Sequence, residues 1–383
     1  LQELNYTTTS ADGNDGDIII DGTSTITYTG LEPINAGNAA DTILNLPTAF
    51  VNDATLRDSA NGGEIEIIDN GTTFEDTIIP NPTNSLTVNL GNQGDDLLVN
   101  TLDPAYAASL IINGGTGFDE VDLNDVDLIN TPGRGLLVTQ TELLDIVDGE
   151  ISGNTAVVGG GVLIDSVGTV ATIDGTIISG NTATGAAGTQ GGGGIFNDGA
   201  FLTIVDAEIT NNVANGTVGS GGGVFNGLNG ALTISNSTIT GNEAERAGGG
   251  IEDASFNVVT LTDVTLDNNS ANGTDLSAPG NGGGLHVTGT ASVFINDGTV
   301  NGNSAALEGG GLWNGGGLMT IDDVTIDGNT ASGDAADDGG GGIFNNGGTV
   351  NIGDTSPVVI SNNVADGASG SGGGILNNDG ILK

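Results

Sequence analysis

Residues 192–214 read GGGIFNDGAFLTIVDAEITNNVA, and residues 221–244 read GGGVFNGLNGALTISNSTITGNEA. In both, a glycine triplet leads to an apolar anchor (Ile195, Val224), a second short run reaches Ile204 or Ile234, and a third anchor, Ile209 or Ile239, stands five residues further on. An Asn follows three residues later and an Ala two after that: Asn212 and Ala214, then Asn242 and Ala244. A helix would need apolar residues at three-to-four spacing and would be broken by the glycines, so these runs read as strands.

The same unit extends outward in both directions. Glycine triplets precede Val162, Ile251, Leu285, Leu312, Ile343 and Ile375, and the Asn column continues through Asn154, Asn181, Asn269, Asn303 and Asn329. The last unit reaches Ile360, Asn363 and Ala365 after a small insertion around Pro357. Self-similarity at a period of about 30 residues marks a solenoid. Three short strands per coil, separated by Gly- or Asn-containing corners, predict an all-β right-handed parallel β-helix in which each strand pairs with its copies about 4.8 Å above and below. Stacking then builds continuous Ile, Val and Leu columns, and a buried Asn column sustains itself because amides both donate and accept. The Ala reads as a small residue enclosed by a tight corner.

Chain length varies at one corner only, between the Ala and the next triplet, where the longest insertion is NGTDLSAPGN from Asn272 to Asn281. Insertions confined to one corner project from one face of the rod, which is either a binding face or simple loop drift. The regular β-helix is expected over residues 135–383, in about eight coils. Residues 84–134 read as degenerate coils, and residues 1–83 as an irregular β-rich region, a separate β domain or a cap, with strand-like runs such as Ser24 to Tyr28 and Glu64 to Ile68.

Composition narrows the function. The 383 residues include 49 acidic and 4 basic side chains, 70 glycines and no cysteine, for a formal charge of −45. Such a charge repels nucleic-acid phosphates and anionic lipid heads, so neither is an expected partner. No apolar run is long enough to span a bilayer, so direct membrane insertion is not expected. The self-repulsion is relieved by salt or divalent cations, which suits an extracellular or cell-surface setting. The chain stops at Gly-Ile-Leu-Lys, inside a unit, so continuation in a longer chain or head-to-tail self-association into a fibre is expected.

The GGGI-F-N, LTI and T-I-x-x-N-x-A elements over about residues 135–383 resemble the repeats of bacterial right-handed β-helix surface proteins of the polymorphic outer-membrane-protein type, related in architecture to autotransporter adhesin passengers. The resemblance implies a non-catalytic structural or adhesive rod, part of a larger cell-surface protein or fibre, with a glycan or protein receptor. The glycine triplet and the lack of a membrane-anchoring barrel depart from that pattern and leave the means of anchoring open.

Two groups of residues carry candidate chemistry. Gly114-Gly115-Thr116-Gly117-Phe118-Asp119 fits a calcium-binding nonapeptide, and Gly91-Asn92-Gln93-Gly94-Asp95-Asp96 nearly does, one coil earlier. This spacing predicts Asp96 over Asp119, with Asp95 nearby and Asp41 in a weaker copy at Ala36 to Leu44; the two readings are calcium sites and plain acidic turns. The second group follows the triplet anchors: Leu163, Phe196, Phe225, Glu252, His286, Trp313, Phe344 and Leu376. If this row faces outward, Phe196, Phe225, Trp313 and Phe344 meet a sugar or protein partner; if covered, they form an aromatic ladder.

Glu252 and His286 fall in adjacent coils and read as a structural pair, since no nucleophile or oxyanion donor accompanies them. The alternative function is a polysaccharide-binding or polysaccharide-degrading β-helix of the pectate-lyase kind. The scattered Arg57, Arg134, Arg246 and Lys383, and the adjacent Asp322-Asp323, do not assemble the cation or facing carboxylates that such chemistry needs, so no enzyme activity is expected. The threonine column Thr172, Thr203, Thr233, Thr260, Thr320 is broken by Phe294 and Asn351 and reads as a solvated face, not an ice-binding array.

Overall fold

A short coil must turn repeatedly, and the unit 192–214 does so at residues with positive φ: Gly192 (φ 64°), Gly199 (φ 102°), Asp206 (φ 50°) and Asn211 (φ 55°). Asp and Asn tolerate this region better than other side chains do. The Gly192 corner is stricter. A Cβ on Gly192 would lie 2.3 Å from the Ile195 carbonyl, one on Gly193 2.4 Å from the Gly222 carbonyl, and one on Gly194 2.7 Å from the Gly223 carbonyl. The triplet is therefore three requirements in a row: one for φ, two for the approach of the neighbouring coil's backbone.

The computed structural model describes residues 3–8, 15–20, 24–29, 39–275 and 278–383. All regular elements among them are β-strands, arranged as a parallel β-solenoid with three sheets. The first sheet has 15 strands and carries the triplet strands, such as Ile195–Asn197 and Val224–Asn226, paired in parallel with Ile195 over Val224. The second sheet receives two strands from most coils, such as Phe201–Val205 and Glu208–Thr210, which meet at the left-handed Asp206, and one continuous strand, Val258–Asp267 or Ser292–Asn301, from two of them. The third sheet has 8 two-residue strands, Val213–Ala214 among them. About nine coils run from Leu136–Thr139 to Ile375–Asn378.

Ile195, Leu202, Ile204 and Ile209 point into one continuous apolar interior with their equivalents above and below. Truncating one such side chain to Ala is worth about 2–5 kcal/mol. The Asn column lines the corner after the second sheet. Asn181 donates its backbone N–H and its Nδ2 to Asn212 Oδ1, both at 3.0 Å, and Asn212 Nδ2 donates to the Ile178 carbonyl at 2.9 Å. The pattern repeats through Asn242, Asn269, Asn303 and Asn329 to Asn363. Ala183, Ala214 and Ala244 pack together as a buried file. They lie in strands of the third sheet, so a coil such as 195–214 holds four short strands where the sequence suggested three and an Ala corner.

The parallel register begins inside the stretch that the sequence left open. Asp41–Asn45 pairs in parallel with Ser85–Gly91, and Asp53–Asp58 with Asp96–Asn100. Glu64–Asp69 and Thr77–Pro80 extend antiparallel from Asp53–Asp58. Three further strands, Glu3–Thr8, Asp15–Ile20 and Ser24–Thr29, join antiparallel, and the first of them pairs in parallel with Asp41–Asn45. These three strands extend the first sheet beyond Asp41–Asn45, so that its edge is Ser24–Thr29.

Candidate functional sites

The row after the triplet anchors forms a second, narrow buried layer on the outer side of the first sheet. In Ile195–Asn197 all three residues are buried, with Ile195 in the main core and Phe196 in a separate cluster with Leu163 and Phe225. Phe196 and Phe225 stack at 4.7 Å with planes 4° apart. Further along, His286 lies 4.2 Å from Trp313, and Trp313 lies 6.1 Å from Phe344. Phe196, Phe225, Trp313 and Phe344 are at most 8% exposed, so these rings form the covered ladder and are not open to a partner.

A polar cluster interrupts the ladder. Glu252 Oε1 accepts from Arg246 Nη2 at 2.9 Å and from the Thr288 hydroxyl, while Oε2 lies 2.8 Å from His286 Nδ1. Burial alone would raise the Glu252 pKa, but His286 and Arg246 hold it down to about 2. Arg246 reaches in from the variable corner, and from the same corner Glu308 accepts the Trp313 indole N–H at 2.9 Å. The variable corner thus ties itself over the ladder. Thr288 also faces Nδ1 of His286, at 3.1 Å, the nitrogen already held by Glu252. This arrangement positions side chains; it does not set a hydroxyl against a free imidazole nitrogen. Asp322 accepts the Thr355 N–H at 2.8 Å and Asp323 occupies a left-handed corner, so the two carboxylates serve separate turns.

The acidic turns are stacked differently from the spacing of their motifs. Gly115 pairs with Gly91 and Glu120 with Asp96, which places Asp119 over Asp95, not over Asp96. The offset is 24 residues along the whole coil, from Ser109 over Ser85 to Glu120 over Asp96, one more than the 23 between the motifs' first glycines. Asp95 and Asp119 are fully buried, whereas Asp96 is exposed on the outer face. Asp95 is pushed up to about 6 by burial and by Asp119 and Asp96; Asp119 is raised by burial, Glu142 and Asp96. Asp41 lies on the first sheet, bonded to Asn84 and Ser85, away from this group. Residues 36–38 of its motif lie outside the described residues. Among the described residues no three His, Cys, Asp or Glu side chains converge as a ready metal cluster.

Sequence reasoning missed an exposed apolar patch. Val167 (75%), Val170, Phe201 (54%), Leu228, Phe256 (61%) and Val258 stand in successive coils on the turn into the second sheet and on its first strand, and Phe294 adds to them one coil later. The register Val170 over Phe201 over Ala231 over Val258 puts three of them in one file, flanked by the column Thr172, Thr203, Thr233 and Thr260, in which Phe294 itself stands. The signal was legible in the strand FLTIV, where inward Leu202 and Ile204 force Phe201 outward. No family model, curated protein or solved structure matches the chain. No helix among the described residues is long and apolar enough to cross a membrane.

Proposed function

We propose that the chain is a non-catalytic extracellular rod, part of a cell-surface protein of the kind its repeats resemble, and that it adheres through the outer face of the second sheet. The observation that carries this reading is the exposed file Val170, Phe201 and Val258 with Phe256 and Phe294 beside it, where exposed aromatic rings gather on one face of the rod. Exposed aromatic and aliphatic side chains gathered on one face in this way mark an interaction site. A charge of −45 repels acidic partners, so a neutral glycan is the favoured receptor: its C–H faces stack on Phe rings while its hydroxyls meet the adjacent threonines.

The test is a glycan array probed with the purified chain and with a Phe201→Ser/Phe256→Ser/Phe294→Ser variant whose thermal unfolding matches the parent. Binding that falls at least about tenfold in the variant supports the reading, because losing three stacking contacts removes more than 1.4 kcal/mol. Glycan binding unaffected by the three changes moves the site elsewhere, and absence of any glycan or cell binding leaves a passive rod.

A further inference from the structure

The two interior corners of the rod perform the same backbone task with different chemistry. At the Asn corner every side chain accepts a main-chain N–H from the coil before and also donates, so both of its polar atoms are used. At the corner between the first and second sheets the early coils use Asn52, Asp95, Asp119 and Glu142. Asn52 donates its N–H to Asp95 Oδ1 at 2.7 Å, Asp95 to Asp119 Oδ1 at 2.9 Å, and Asp119 to Glu142 Oε2 at 2.7 Å. Oδ1 does the work that an amide oxygen does elsewhere.

The second oxygens have no such use. Asp95 Oδ2 and Asp119 Oδ2 are buried without a hydrogen-bond partner, one coil apart. An Asn at either position would keep the accepted bond, carry no charge and offer a donor, so the ladder does not explain why these are carboxylates. Later coils confirm that the corner tolerates neutral residues, because Thr169 and Ala200 occupy the same column. Two stacked carboxylates with unused oxygens in a desolvated corner repel each other unless a cation lies against both or they share a proton. Backbone carbonyls also crowd this loop: a Cβ on Gly94 would lie 2.9 Å from the Phe118 carbonyl, and one on Gly117 1.9 Å from that of Gln93.

We propose that Oδ2 of Asp95 and Oδ2 of Asp119 hold a divalent cation of the calcium class between two coils. Oxygen-only donors and an irregular loop favour calcium over magnesium, which demands near-ideal octahedral geometry. With two carboxylates the affinity belongs to the weak end of protein calcium sites, a Kd of about 0.1–1 mM, suited to an extracellular concentration. The site is independent of the adhesive reading, since it lies inside the rod.

The experiment uses the full chain stripped with chelator, followed by calorimetric titration and thermal unfolding with CaCl2 and, separately, MgCl2. One saturable calcium site is expected, with a melting temperature that rises as calcium is added and a weaker response to magnesium. The Asp95→Asn/Asp119→Asn variant should be at least as stable as the parent in chelator and should lose the calcium response. Asp96→Asn, which changes only an exposed neighbour, should keep it. Calcium shifts of equal size in the parent and the double variant would assign binding to the acidic surface and overturn the site. No shift at about 10 mM calcium, with a parent that gains stability only on acidification, would show a proton-sharing pair instead. If the double variant fails to fold, Asp119→Asn alone gives the same contrast.

Discussion

The coils before Leu136 share the first two sheets with the coils after it but have no strand in the third, which begins at Thr155–Ala156, and they meet the demands of stacking by different means. The later coils repeat one solution: a glycine triplet where backbones nearly touch, an amide column at one corner, a left-handed Asp, Asn or Gly at another. The early coils have no triplet, break their second sheet with the antiparallel strands Glu64–Asp69 and Thr77–Pro80, and place Asp95 and Asp119 at a corner that turns neutral after Glu142, from Thr169 onward. The contrast teaches that backbone stacking sets the architecture, while corner chemistry decides how stable each coil is and what it can bind.

The largest break in that comparison comes from the triplet. In Gly222→Val the new Cβ meets the Glu243 carbonyl at 2.3 Å and the Gly249 carbonyl at 2.4 Å, both backbone atoms that cannot yield without separating two coils. A loss of about 4 kcal/mol or more is expected, read as a fall in the urea midpoint. The same substitution at Gly62, where nothing lies within 4 Å, should change stability by less than about 1 kcal/mol.

These requirements explain how much could be read beforehand. Triplet, anchors and Asn column were legible because each meets a need that recurs in every coil, so the residue recurs too. The third sheet was not: its strands are two residues long, and Ala214 in a strand looks the same as Ala214 in a corner. The start of parallel stacking at Asp41 was hidden because the excursion from Glu64 to Pro80 separates strands that pair. At the acidic corner the composition was legible but the register was not, since Gly114-Gly115 offers two alignments and only pairing chooses Gly115. The aromatic row was visible as a row, yet its cover comes from Arg246 and Glu308 at the corner whose sequence varies most.

A middle-sized effect is expected from moving early-coil chemistry into a later coil. Asn242 donates Nδ2 to the Ile209 carbonyl at 2.9 Å and to Asn269 Oδ1 at 3.0 Å. In Asn242→Asp an ionised oxygen replaces that donor and faces two acceptors. A buried group left unsatisfied costs about 1–3 kcal/mol, more when charged, so a loss of about 3 kcal/mol at pH 7 is expected from denaturant unfolding. Part of it should return on acidification, because the protonated acid can donate again. A loss independent of pH would show that the amide column works through shape and not through its donors.

The smallest effect runs the other way. On the first sheet a second amide file, Asn197 to Asn226 at 2.8 Å, ends at Asp253, whose Oδ1 accepts from Asn226 at 2.8 Å and whose Oδ2 is buried without a partner. Burial pushes the Asp253 carboxyl up to about 6, with Glu252 adding to the rise against hydrogen bonds from Asn226 and Ser255. A carboxyl with a raised folded-state pKa keeps its full stability only below its unfolded value, 3.8, and loses it as pH rises through about 6. Asp253→Asn removes that loss. Its new amide can donate to a carbonyl a few residues on, as Asn197 does to Ala200 at 3.0 Å and Asn345 to Gly348 at 3.0 Å. The variant should therefore gain about 2 kcal/mol at pH 7 and nothing below about pH 4, read from unfolding curves across that range. A gain that persists at low pH would come from packing, and a loss at pH 7 would mean that Val287, one coil on, leaves the new donor stranded.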